Sequence, residues 1–278
     1  MSTSSAAADA HGYVLGHSQR ELARLKAQAN LVDPITKRFF QEAGVGSGMR
    51  VLDVGSGAGD VAFLAAELVG ATGVVVGVDR AAGAIEEARR RAAERAAHNV
   101  TFQLGDPAEI AFDQPFDAVI GRYVLQFQKD PAAMLRKLRS RVRTGGVLVF
   151  HEIDWGGVCS CPPVAIFDRC GRWGIETLRR HGTEARMGAK LHATFMRAGL
   201  PAPIMRLEAR LGGGPKATDV ITLLTGVIET LLPEMEQLGV ATRAEVAIDT
   251  LVERIAKDAA ATDSVIIGHN QVAAWSRV

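Results

Sequence analysis

The sequence predicts an α/β chain built on a doubly wound, mostly parallel sheet. Five short apolar runs, at residues 51–54, 73–78, 100–104, 116–120 and 147–153, are separated by segments of helical periodicity. That alternation builds a parallel sheet with helices on both faces. The first run leads at once into a glycine-rich turn, "VLDVGSGAGD", the place where open α/β sheets hold ligands. Two later runs, at 204–209 and 265–275, bring the expected sheet to seven strands.

In chain order, residues 1–10 read as a flexible tail without the basic and apolar regions of a secretory signal. Ser18 and Glu21 have the spacing of a capping box, and Leu22, Leu25 and Ala29 then share a helical face. Pro34 starts another helical segment, with Ile35, Phe39 and Phe40. Residues 44–49 form a turn. Helices follow at 60–69, at 82–97, where Glu86 and Glu87 face Arg90 and Arg91, and at 131–142. "TGG" then turns into the fifth strand. Helical patterns recur at 164–179, 188–198, 219–238 and 243–261.

Composition narrows the function. Hydrophobic residues make up 47% of 278 residues, enough for a substantial core. The net charge of +1 predicts no nucleic-acid partner. No apolar run is long enough to span a membrane. Cys159, Cys161 and Cys170 lack zinc-site spacing and read as reduced thiols of a cytoplasmic protein, with no metal site.

The chemistry gathers at strand ends. Gly55-x-Gly57-x-Gly59 lets backbone approach a ligand closely. The dinucleotide fingerprint has its third glycine one position later, where Asp60 stands. An acid there opposes a pyrophosphate but not a zwitterion or a cation. Asp79 closes the second run at the distance expected of an acid that grips a ribose hydroxyl. Asp106 follows the third run and can accept from an exocyclic amine.

Together these motifs resemble a class I S-adenosylmethionine-dependent methyltransferase, of the small-molecule type related to ubiquinone and menaquinone C-methyltransferases. "VLDVGSGAGD" is similar to the family's glycine motif, "VVVGVD" to its ribose strand and "GDPAEIAF" to its adenine segment. "FDAVIGRYVLQF" and "GGVLVFHEID" are similar to its fourth and fifth strands. The resemblance covers residues 51–154 and implies a Rossmann-like methyltransferase fold with S-adenosylmethionine as cofactor and S-adenosylhomocysteine as product. It implies that Asp53, Gly55, Ser56 and Gly57 meet the methionine part, and that Asp79 binds ribose with Arg80 beside the adenine. Asp106 and Pro107 border the adenine, and Gly121 and Arg122 approach the amino-acid end. "HGYVLGHSQRELARLKAQA" resembles an N-terminal segment whose tyrosine, here Tyr13, closes over the cofactor. The implied division is a tail at 1–10, an N-terminal helical lid at 11–48, a cofactor core at 49–154, and remaining strands with a helical cap at 155–278.

Methyl transfer from a sulfonium needs positioning and desolvation, and a base only if the acceptor must lose a proton. Candidates for such a base are His151 and Glu152, which alternate faces if the strand persists. Packing of a strand-end histidine is the competing reading for His151. Arg122 has a competing reading too, as an ion-pair partner of Asp60 or Glu152. His17, Tyr123, Gln126, Trp155 and Ile228 are candidates for the acceptor pocket of a small, largely apolar molecule, aromatic or isoprenoid. Ile221, Leu224, Ile228 and Leu231 recur at helical spacing, which fits core packing, a lid or a homodimer face. Two other classes stand beside this one: a nicotinamide-dependent oxidoreductase and a catalytically silent cofactor-binding partner.

Overall fold

The computed structural model describes residues 19–278, with side chains described from residue 31. The tail, Tyr13, His17, Ser18 and the side chains of Leu22, Leu25 and Ala29 lie outside what is described. Helix α1 (Gln19–Glu42) runs through Pro34 without the expected restart. An internal proline forfeits a hydrogen bond and crowds the preceding turn. Burial of Val32, Ile35, Phe39 and Phe40 against the sheet, each at most 3% exposed, outweighs that cost.

The sheet is the predicted one, with an addition. Strands β1 (Arg50–Val54), β2 (Val74–Asp79), β3 (Val100–Leu104), β4 (Phe116–Arg122) and β5 (Val142–Asp154) pair in parallel in the order β3-β2-β1-β4-β5. Strand β6 (Cys159–Cys161) was not foreseen. Strand β7 (Ile204–Gly213) pairs antiparallel with β8 (Val265–Arg277), which pairs antiparallel with β5. β6 bonds to β8 beyond the end of β5, on the edge that β7 leaves free. It therefore prolongs the fifth of seven positions. Strand order reverses beside β1, so the crevice at the carboxyl ends of β1 and β4 is the expected ligand site.

Alternating strand residues bury both faces. Val51, Val75 and Ile120 pack with α1, α2 (Asp60–Val69) and α3 (Ala82–Glu94). Leu52, Val76 and Val119 pack with α4 (Pro131–Arg139) and α6 (Met187–Arg197). A third core joins α5 (Ala165–His181), α7 (Thr218–Gln237), α8 (Arg243–Val246) and α9 (Ile248–Ala261). The helix expected over 243–261 breaks at Ala247, whose φ of 44° is left-handed. Of the helices after residue 154, α6 covers the sheet, while α5, α7, α8 and α9 form the separate layer. Trp155 and Ile266 belong to this layer, which places it over the ends of β5 and β8.

Candidate active site

The glycine turn is tied to the second strand by backbone and by one carboxylate. Gly55 and Ser56 donate their N–H groups to Val78 O at 2.9 and 3.1 Å. Gly57 donates to Asp79 Oδ2, and Ala81 to Asp79 Oδ1, both at 2.9 Å. Asp79 is thus fixed between the turn and α3, with lone pairs left for a diol. Gly55 and Gly57 adopt φ of 68° and 52°, which glycine takes without strain. A Cβ on Gly57 would meet nothing within 4 Å, so the turn opens onto free space there.

Two buried polar side chains at this turn are under-satisfied. Among the described residues neither the carboxylate oxygens of Asp53 nor the hydroxyl of Ser56 makes a hydrogen bond of normal geometry, and only the Ala62 N–H of α2 draws on the Asp53 carboxyl. Burial pushes the Asp53 carboxyl well above the usual range, against the pull of Arg122 and with Asp79 and Asp60 adding to the rise. Unpaired buried polar atoms are costly and mark a place built for a ligand. Their donor and acceptor set fits the ammonium and carboxylate of an amino acid, as an S-adenosylmethionine cradle requires.

Other acids here are compensated. Arg91 donates to Asp60 Oδ1 at 2.5 Å and to Ala58 O at 2.6 Å, tying the glycine turn to α3. The charge of Asp60 is therefore partly neutralised, which weakens its exclusion of a pyrophosphate. Arg80 pairs with Asp106 at 2.5 Å, and Asp106 Oδ1 accepts from Ala108 N at 2.9 Å. The pair and the buried Pro107 form one side wall beyond β2 and β3.

At the end of β4 the residues implied by the resemblance have protein partners. A Cβ on Gly121 would come within 2.6 Å of the Phe150 ring, so packing alone demands glycine there. Arg122 pairs with Asp33 at 2.6 Å and donates to Thr36 Oγ1 at 3.0 Å, both on α1. Neither Asp60 nor Glu152 is its partner. Arg122 thus locks α1 over the strand ends.

His151 and Glu152 do face opposite ways, and neither is placed as an open base. His151 is fully buried, with Nδ1 3.1 Å from Thr36 Oγ1 and Nε2 2.8 Å from Gln271 Oε1. Burial, then the nearby Arg122 charge, lower its pKa to about 3. It is a neutral, doubly held link. Glu152 Oε1 accepts from Val124 N at 2.9 Å and Leu125 N at 2.8 Å, while Oε2 is buried without a partner among the described residues. Burial raises its pKa to about 7 against those backbone donors. Glu152 positions the turn after β4, where Tyr123 takes a left-handed φ of 59°.

The acceptor candidates divide. Tyr123 donates to Gln271 Oε1 at 2.5 Å, which joins Tyr123, Gln271, His151 and Thr36 in one network. Gln126 stays within its own turn, its side chain 3.5 Å from Tyr123 O. Trp155 is buried and meets His269 edge-on at 4.2 Å between ring centres. Ile228 is fully buried in the third core and is packing, not pocket wall. Asp33, Thr36, His269 and Gln271 were not foreseen. The signal for the last two was legible: polar residues two apart in an apolar terminal strand share one face. Among the described residues, no group of three potential metal ligands gathers and no helix is long and apolar enough to cross a membrane.

Sheet order, crevice and carboxylate-lined glycine turn define a Rossmann-like methyltransferase scaffold. Comparisons with known proteins agree. A family model described as "Methyltransferase domain" matches residues 46–186, and the chain belongs to that family. It is similar to aklanonic acid methyltransferase DauC of Streptomyces sp. strain C5, at 37% identity over 118 residues, 42% of this chain and 54% of that one. It is also similar to 2-phytyl-1,4-naphtoquinone methyltransferase of Synechococcus elongatus, at 39% over 100 residues, 35% of this chain and 43% of that one. The chain spans about half the length of these curated relatives. Among solved structures, the YcgJ protein from Bacillus subtilis matches with a TM-score of 0.54 at 18% identity, covering 90% of this chain and 99% of that one. At that identity the likeness shows the fold.

Proposed function

We propose that this chain transfers a methyl group from S-adenosylmethionine to a small, largely apolar organic acceptor. The observation that carries this reading is the under-satisfied, buried pair Asp53 and Ser56 beside the pinned Asp79. When bound, the cofactor supplies a methyl group already activated on a sulfonium. Asp53 and Ser56 hold the amino-acid end, and the backbone of Gly55 and Gly57 permits close approach. Asp79 grips the ribose, and Arg80, Asp106 and Pro107 border the adenine. Gly121 and Arg122 support the site through Phe150 and α1. Tyr13 as a cover and His17 at the entrance complete the proposal, with 11–48 as N-terminal helical lid and 155–278 supplying the remaining strands and the helical cap.

The chain's share of the rate is positioning and exclusion of water. No described candidate is open to an acceptor: His151 is held at both nitrogens, and Glu152 is fully buried and held by backbone at Oε1. The relatives' names, with aklanonic acid and a phytyl naphthoquinone, support an organic acceptor rather than a macromolecule. The net charge of +1 supports the same choice over nucleic acid. Three free cysteines, two of them exposed, support a cytoplasmic location.

A second copy of the chain is a further proposed partner. Among the described residues β7 pairs only with β8, and Leu207 and Leu211 are 59% and 63% exposed. Antiparallel pairing of two β7 strands about Ala209 sets Leu207 opposite Leu211 and Glu208 opposite Arg210.

Calorimetry with S-adenosylhomocysteine, followed by a screen of aromatic and isoprenoid acceptors for the mass gain of one methyl transfer, tests the reading. Absence of binding by folded protein would sink it. Binding without transfer by the protein alone would favour a silent partner, and binding of NAD(P)H instead would favour an oxidoreductase.

A further inference from the structure

Next to the Tyr123–Gln271–His151 network lies a polar group that nothing in the fold uses. His269 is 5% exposed, and among the described residues its Nε2 has no hydrogen-bond partner. Its place is set by an irregularity in β8. Ala209 pairs with Asn270, but the next pair is Leu211 with Ile267. β8 therefore takes one more step than β7 across Gly268 and His269, which is a β-bulge. Bulges re-aim side chains and recur beside active sites. Trp155 packs edge-on against the His269 ring at 4.2 Å and fixes its plane. A Cβ on Gly268 would approach Val220 of α7 to 3.0 Å, so the helix sits close over the bulge.

The ring lines a narrow cleft between α1, β8 and the first turns of α7. Val32, Ile35, Val220 and Leu223 supply apolar walls, and His269 and Gln271 supply polar groups, with Arg210 and Asp219 also on its lining. The room is about 20 Å³, enough for one water-sized group. The cleft is thus a niche for a single polar atom at the edge of an apolar surface. Gln271 connects it to Tyr123 and His151 at the end of β4.

We propose that His269 receives a hydroxyl of the acceptor, and that the acceptor is an apolar molecule carrying a phenolic, enolic or alcoholic group. This rests on the reading of the chain as a small-molecule methyltransferase. The chemistry selects a hydroxyl. A buried neutral imidazole offers one donor and one acceptor nitrogen. A hydroxyl satisfies Nε2 in either tautomer, because it both donates and accepts. A carbonyl satisfies only the protonated nitrogen, and a carboxylate or ammonium would enter this niche at the cost of desolvating a charge. Burial holds the His269 pKa down at about 3, so the ring is neutral throughout the physiological range. His269 binds and orients the acceptor, and no bond to it is made or broken.

The test uses a matched pair of probes, 2-naphthol and naphthalene, in equilibrium dialysis against the full chain with saturating S-adenosylhomocysteine. Wild type should bind 2-naphthol at least ten-fold more tightly than naphthalene. His269→Leu should reduce that preference below two-fold while the affinity for S-adenosylhomocysteine, measured separately, stays within two-fold. Should the leucine variant fail to fold, histidine nitrogen NMR of the wild type decides. The Nε2 resonance of His269, assigned by connectivity, should shift on titration with 2-naphthol and not with naphthalene. Equal binding of the two probes by wild type, an unchanged preference in folded His269→Leu, or an unmoved Nε2 resonance would overturn the proposal. Loss of S-adenosylhomocysteine binding by wild type would instead overturn the methyltransferase reading.

Discussion

Glu152→Gln separates the electrostatic cost of Glu152 from its service to the turn after β4. The glutamine keeps the oxygen that accepts from Val124 and Leu125, but carries no charge. In the folded chain the Glu152 pKa is about 7, against an ordinary 4.5. Between those values the folded state keeps a proton that the unfolded state has lost. Stability supplied by protonated Glu152 is therefore lost as pH rises from about 4.5 through 7, and the difference is worth about 3 kcal/mol. His151 and His269 work the other way. Their pKa of about 3 means that the unfolded state binds their protons first, so they add stability as pH rises from about 3 to 6.5. The wild-type profile mixes these slopes, and the variant removes one of them. Urea unfolding of both proteins from pH 4.5 to 8.5 should show the variant gaining about 3 kcal/mol on wild type across the range. A difference that stays constant with pH would refute the burial of an uncompensated Glu152.

Other expectations follow from single contacts. Asp79→Ala should weaken S-adenosylhomocysteine binding by about 1.5–3 kcal/mol, read by calorimetry, because a charge-assisted hydrogen bond and the pin on Gly57 are both lost. Arg122→Gln and Asp33→Asn should couple by about 1 kcal/mol in a double-mutant cycle of stability, since Arg122 is only 10% exposed. His151→Leu should lower stability by about 2–4 kcal/mol and leave the shape of the pH–rate profile between pH 5 and 8 unchanged, because His151 stays neutral there. Leu207→Glu with Leu211→Glu should convert a dimer to a monomer by light scattering, and a wild type that is already monomeric would remove the β7 proposal.

The sheet was legible because its strands are continuous apolar runs bounded by turn residues, and the first three strand ends carry acids. Asp53, Asp79 and Asp106 fall where a local reading of strand ends puts them. What escaped depends on contacts distant in sequence. Arg122 reads as a ligand contact or as an ion-pair partner of Asp60 or Glu152, and its partner is instead Asp33, on a helix 89 residues away in the chain. His151 reads as a base or as a packed strand-end histidine, and Thr36 and Gln271, which hold both its nitrogens, favour the second. Gly121 looked like a site for ligand approach, but the Phe150 ring explains it. Pro34 looked like a helix start, yet burial carries α1 through it. The bulge at Gly268 and His269 is set by pairing with β7, which a strand's own periodicity does not reveal.

The most direct measurement is calorimetric titration of S-adenosylhomocysteine into wild type, Asp79→Ala and Asp60→Asn. Asp79 faces the glycine turn, whereas the Asp60 carboxylate is engaged by Arg91. One-to-one binding by wild type, a loss of about ten-fold or more in Asp79→Ala and a change of less than about three-fold in Asp60→Asn is the expected pattern. No binding by folded wild type, or equal affinity in Asp79→Ala, would contradict the assignment of this turn as the cofactor cradle.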